Sequence, residues 1–257
     1  MISERFRACP AFLMPQKLCN DAEILRCTGV QEDLGSLRDR DAVFSSLVEF
    51  ASGANARGIN DLVAFNLRDG YEAPKGRFFL SPIKRYRSWH IEEPLIQDFI
   101  HKSRPHIFID GSYGLKLYYK DNEVKKPVVL GAVSFSTGSD IRHYDRNLER
   151  YKDVEDPIIV QLQGPHSHSN GKKHEIVQGV LRSFRLEDVL IDTMIQWANM
   201  VGLSRLYLLP GEKNAYLYRM PELEAKLKRR YDGSARKWGF KMASNGLYLL
   251  SSEDSEK

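Results

Sequence analysis

Three histidines within nine residues, His166, His168 and His174, mark the stretch of this chain best equipped to move a proton. Alternate imidazoles can also chelate a metal, yet no Cys accompanies them and no Glu stands at His-Glu-x-x-His spacing. No metal site is therefore expected, and two readings stay open: histidines solvated in a loop, or a base whose pKa suits an amine proton. Gly171-Lys172-Lys173 lies in the same stretch and can meet phosphate as point charges or sit as a solvated loop. Elsewhere Arg77-Phe78-Phe79 and Lys84-Arg85-Tyr86-Arg87-Ser88-Trp89-His90 interleave cations with aromatics. Such mixtures bind single-stranded nucleic acid, and they also fit a half-buried edge strand. Residues 226 to 237 add Lys226, Lys228, Arg229, Arg230, Arg236 and Lys237. Asp110-Gly111-Ser112-Tyr113-Gly114 brackets hydroxyls with glycines, as a ligand-facing loop or a tight turn does. Neither a Gly-x-Ser-x-Gly elbow nor a Gly-x-x-x-x-Gly-Lys-Ser/Thr phosphate loop occurs.

These residues must be held by the elements around them. Leu186, Val189, Leu190, Met194, Trp197, Ala198 and Val201 recur at three- and four-residue spacing, which predicts a helix ended by Gly202. Arg205 to Leu209, stopped by Pro210-Gly211, reads as a buried strand. A second helix joins Leu223, Leu227, Tyr231, Ala235 and Trp238 and ends at Gly239-Phe240, before a closing strand at Leu247 to Leu250. Upstream, the pattern predicts a helix over 38–58, a strand over 61–67 and a short helix over 94–101. A meander at 107–109, 115–119 and 128–135 follows, its last turn being Asp121-Asn122-Glu123. Residues 139–153 read as a polar insertion, 157–163 as a buried strand and 164–173 as a loop. The expected organisation is residues 1–105 as an N-terminal helical and extended part integral to the same domain, a core over 106–250, and a disordered tail over 251–257.

Gln161-Leu162-Gln163-Gly164-Pro165-His166 reproduces the first four positions of a Gln/Arg-x-x-Gly-x-Gly/Ala turn. With the element order and Gly239-Phe240, it resembles the GNAT superfamily of CoA-dependent acyltransferases over roughly residues 107–250. The resemblance implies an α+β fold with a mixed, centrally split β-sheet flanked by helices. It implies acetyl-CoA or another acyl-CoA, with Gln161, Leu162, Gln163 and Gly164 supplying the pyrophosphate turn at a helix start. Lys172 and Lys173 would form a basic rim, and Asn214 matches the Asn that follows the penultimate strand. The reaction would be direct attack of a deprotonated amine, on a small molecule or a protein, at the thioester. His166 or His174 would be the base. Ala235 occupies the position four before Gly239 where the superfamily often carries its acid Tyr, so Tyr231, one turn earlier, takes that role. A second class of function is a non-catalytic GNAT-like binding module that contacts nucleic acid through the basic and aromatic segments.

With 257 residues the chain can bury a full core, and its mixed charges sum to only +4. That balance permits an anionic cofactor or nucleic acid and demands neither. No apolar run approaches the ~20 residues that cross a bilayer, and Pro10 and Pro15 interrupt the only N-terminal apolar stretch, so no membrane partner and no export are expected. Cys9, Cys19 and Cys27 are odd in number and lack Cys-x-x-Cys spacing, which suits reduced thiols in the cytoplasm.

Overall fold

A computed structural model describes residues 40–86, 89–92, 111–123, 126–137, 150–151, 153–165, 172–214, 217 and 220–251. In chain order the elements are α1 (Arg40–Arg57), α2 (Ile59–Phe65), β1 (Arg77–Tyr86), β2 (Trp89–Glu92), β3 (Tyr113–Lys120), β4 (Val128–Ser136) and β5 (Ile158–Gln163). Then come α3 (Lys172–Ser183), α4 (Leu186–Met200), β6 (Arg205–Leu208), α5 (Glu224–Lys237), β7 (Lys241–Met242) and β8 (Tyr248–Ser251). The fold is α+β with mainly antiparallel strand pairing. Two compact units divide the chain: Leu47–Ser136 with Ile159–Thr193, and Met1–Ser46 with Thr137–Ile158 and Met194–Lys257.

In the first of these units the strands neighbour one another in the order β2-β1-β3-β4-β5. β1 pairs antiparallel with β3 from Arg77↔Lys120 to Lys84↔Tyr113, and β3 with β4 from Tyr113↔Phe135 to Tyr119↔Val128. Side chains alternate between faces, so Phe78, Leu80, Leu115, Leu117, Tyr119 and Val133 form one buried apolar face. The Phe78 ring meets Tyr119 at 5.2 Å and Phe184 edge-on at 5.9 Å between centroids. Each such side chain contributes roughly 1.5–3 kcal/mol of burial. Gly131 lies on this face because a Cβ there would come within 2.5 Å of the Gln163 carbonyl oxygen and 2.6 Å of Leu186 Cδ2. The outer edge of β1 is finished by two asparagines. Asn55 accepts the Leu80 N–H at 2.6 Å and donates to the Leu80 carbonyl at 2.9 Å, and Asn60 accepts the Phe78 N–H at 3.0 Å. Even-numbered residues of β1 thus point their N–H groups outward. Pro82, which has none, follows in the same phase just before β2 pairing begins at Ile83.

In the other unit β8 lies between β6 and β7, antiparallel to both. Trp197, fully buried in α4, donates its indole N–H to Ser46 at 3.1 Å. Gly202 and Gly239 end α4 and α5 with φ of +74° and +77°. At each end a six-to-one backbone bond closes the last turn: Leu203 N to Ala198 O and Phe240 N to Ala235 O, both 2.9 Å. Gly211 starts a 3-10 turn, Gly211–Lys213, that packs on α5. A Cβ there would lie 2.6 Å from the Lys228 nitrogen, so only glycine admits the approach.

The helices expected around 38–58, 186–201 and 223–238, and the strands at 115–119, 128–135, 157–163, 205–209 and 247–250, appear within a few residues of those limits. Residues 61–67 differ: they belong to helix α2 and its exit. Ile59, Leu62 and Val63 are buried at i, i+3 and i+4, so one face of a short helix satisfies the apolar residues. Residues 77–86 form a ten-residue strand, and β7 is a further two-residue strand without a counterpart in the sequence reading. The short helix at 94–101, the strand at 107–109, the three cysteines and the tail after Ser251 lie outside the described residues. Among the described residues no helix is long and apolar enough to cross a membrane.

Candidate functional site

The face of β1, β3, β4 and β5 opposite the apolar one carries a row of buried polar groups. Ser81, Ser112, Lys116, Ser134, Ser136 and Gln161 are all 9 % exposed or less. Register explains why they meet: Gly114 stands opposite Ser134, and Lys116 stands between Ser81 and Ala132. Gly114 carries no side chain where a Cβ would come within 2.5 Å of the Val133 carbonyl oxygen, so β3 and β4 approach closely at this point.

A chain of hydrogen bonds runs along this face. The Gly111 N–H donates to Ser134 Oγ at 3.0 Å, and Ser134 Oγ donates to Gln161 Oε1 at 3.0 Å. Gln161 Nε2 in turn donates to Gln163 Oε1 at 2.7 Å. The chain starts at a buried strand entrance and ends on a half-buried carboxamide at the last residue of β5. Each net bond of this kind is worth about 1 kcal/mol, and together they fix both glutamine rotamers at the mouth of the β5–α3 connection. Beside the chain, the Ser112 N–H donates to Ser136 Oγ at 3.1 Å, while the buried Ser112 hydroxyl has no partner among the described residues.

The sequence-predicted turn follows directly. Gln161 and Gln163 share the polar face, and Leu162 is buried on the opposite one, as a two-residue period requires. Gly164 and Pro165 are half-buried and leave the strand. Lys172, Lys173 and His174 occupy the first turn of α3, where the sequence alone gave a loop up to Lys173. His174 is half-buried there. An N-terminal helical turn offers unpaired N–H donors and a positive dipole end, which is the physical setting a phosphate needs. His166 and His168 lie outside the described residues. Among the described residues no group of three His, Cys, Asp or Glu is placed to hold a metal ion.

Tyr231 and Asn214 belong to the other unit. Tyr231 is 1 % exposed on the inner face of α5, with Leu227, Ser234 and Ala235 buried on the same helix. Asn214, also buried, ends the 3-10 turn, and the Gly211 N–H that opens this turn donates to Asp232 Oδ1 of α5 at 2.9 Å. One turn on from Tyr231, the Ser234 hydroxyl and the Trp238 indole N–H are buried without a partner among the described residues.

Sequence reasoning found Gln161 and Gln163 but not the serines that organise them. Val133-Ser134-Phe135-Ser136 alternates small polar with apolar residues, and that alternation was the available signal. Leu115-Lys116-Leu117 alternates in the same way, so Lys116 reads as solvent-facing, yet it is 2 % exposed. Comparison with protein-family models, curated proteins and solved structures finds no match.

Proposed function

We propose that the chain is a GNAT-like acyltransferase that moves an acyl group from acetyl-CoA or a related acyl-CoA to an amine, in the reducing setting of the cytoplasm. The observation that carries the reading is the Gln161-x-x-Gly164 exit of β5, held by the Ser134–Gln161–Gln163 hydrogen bonds and followed by a helix that opens on Lys172 and Lys173. Its second support is the element order α4, β6, α5 and a closing strand β8, with Gly239-Phe240 ending α5, as in the resemblance. In this reading the backbone donors at the start of α3 and the two lysines hold the cofactor's pyrophosphate. Backbone N–H groups at the end of β5 polarise the thioester carbonyl. His174 takes the amine proton.

Isothermal titration of the intact chain with acetyl-CoA tests this directly. Binding is expected, weakened about tenfold in Lys172→Gln/Lys173→Gln, and His174→Gln is expected to lower kcat about 10²-fold. An absence of heat from a folded protein at high micromolar ligand overturns the proposal. A second reading, a non-catalytic module that contacts nucleic acid, is favoured by the exposed Lys226, Arg229, Arg236 and Lys237 of α5. It requires that a single-stranded oligonucleotide bind with strong salt dependence while acetyl-CoA does not.

A further inference from the structure

Tyr151, only 1 % exposed, is flanked by two cations in the unit that holds β6, β7 and β8. Lys213 Nζ donates to the Tyr151 hydroxyl at 2.9 Å and to the Gly246 carbonyl at 2.6 Å. Its distance of 5.6 Å from the ring centre, against 2.9 Å from the oxygen, places the ammonium beyond the hydroxyl rather than over the ring. The exposed Arg150 guanidinium approaches the same ring at 5.2 Å. Gly246, at φ +77°, is the residue that lets Lys213 in, since a Cβ there would lie 2.5 Å from Nζ.

Among the described residues no carboxylate pairs with Arg150 or Lys213. Asp153 and Glu212, the nearest acids in sequence among the described residues, are exposed and bond to neither. Both acceptors of Lys213 are neutral, which among the described residues leaves one ammonium N–H unused. The Tyr151 oxygen accepts from Lys213, and its own proton has no acceptor among the described residues. A half-buried cation satisfied only by neutral oxygens retains uncompensated charge, and an anion that takes the spare N–H, the phenol proton and the guanidinium compensates it.

We infer that Arg150, Tyr151 and Lys213 form a binding site for a phosphoryl group carried by a small molecule. Two positive charges and a phenol donor match a doubly charged, three-oxygen group, whereas a carboxylate brings one charge and two oxygens. The site stands on residues other than those of the β5–α3 turn, so it does not depend on the acyltransferase reading.

The probe is inorganic pyrophosphate, titrated calorimetrically into the full chain at low salt, with acetate as the comparison anion. Arg150→Gln/Lys213→Gln is expected to weaken the binding at least about tenfold, Tyr151→Phe to weaken it a few-fold, and Arg150→Lys to retain most of it. Lys172→Gln/Lys173→Gln separates the two anion sites, because it removes only what the turn contributes. Arg150→Gln alone guards against misfolding, since that side chain is exposed, and it too must weaken pyrophosphate. Wild-type affinity in Arg150→Gln and in the double variant overturns the inference, as does acetate that binds as tightly as pyrophosphate.

Discussion

Asp156 shows what one carboxylate contributes when burial outweighs its partner. Burial raises its carboxyl above the ordinary value, and the attraction of Arg205 only partly opposes the rise. The folded chain therefore keeps this proton to higher pH than the unfolded chain. Its contribution is fully present below the ordinary carboxylate value and is lost as pH rises through the raised one. Asp156→Asn removes that slope: as pH rises from below the ordinary carboxylate value to above the raised one, the wild type should lose stability relative to the variant. Urea midpoints at the two ends measure it, and parallel pH profiles would refute the assignment. The same scale shows where sequence runs out. Gln161 and Gln163 are legible because two-residue alternation puts them on one face. The bond from Ser134 that holds Gln161 is not, because it depends on the β4 register, which no local pattern around residue 161 contains.

At the scale of elements, the glycines separate two kinds of cost. Gly239 sits at φ +77° with open space around it, so Gly239→Ala strains only the backbone and should cost about 1 kcal/mol. Gly131 has an ordinary φ but no room, and a methyl there must displace the Gln163 carbonyl or Leu186. Gly131→Ala should cost about 1–3 kcal/mol and also disturb the end of β5. Chemical denaturation distinguishes them: the first variant lowers the midpoint and leaves ligand binding alone, the second lowers both. The ends of α4 and α5 were readable from Gly202 and Gly239 because a left-handed cap is a local requirement. The α2 segment was misread because seven residues hold too few turns to separate a helical from an alternating pattern. There the packing against β1 decides, with Ile59, Leu62 and Val63 turned inward.

For the whole molecule, the assignment of the proposed groups to the two compact units sets the type of experiment that is informative. The turn at Gln161–Gly164 with α3 lies in one unit, and Tyr231, Asn214 and the Arg150–Tyr151–Lys213 cluster lie in the other. A ligand that binds only the native chain stabilises it by mass action, by about 2.7 kcal/mol at one hundred times its Kd. Acetyl-CoA at that excess should therefore raise the melting temperature, and Lys172→Gln/Lys173→Gln should lose most of the rise. An unchanged melting temperature in the wild type would count against the acyltransferase reading. The α+β class followed from sequence because periodicity changes from 3.6 to 2 and back along the chain. Chemistry did not follow, because Tyr231 reads first as a core aromatic beside Leu227 and Trp238 and only by the resemblance as an acid, and it is 1 % exposed on a helix face.

The amide of Asn55 also has a consequence for the molecule in a crowd. By giving Leu80 both a donor and an acceptor it occupies the positions that another chain's strand would take, and Asn60 occupies the Phe78 N–H alone. In the language of polymerisation these two side chains are chain stoppers: they terminate β1 as a growing end. Each carboxamide fills a backbone position at which a further strand would have to pair.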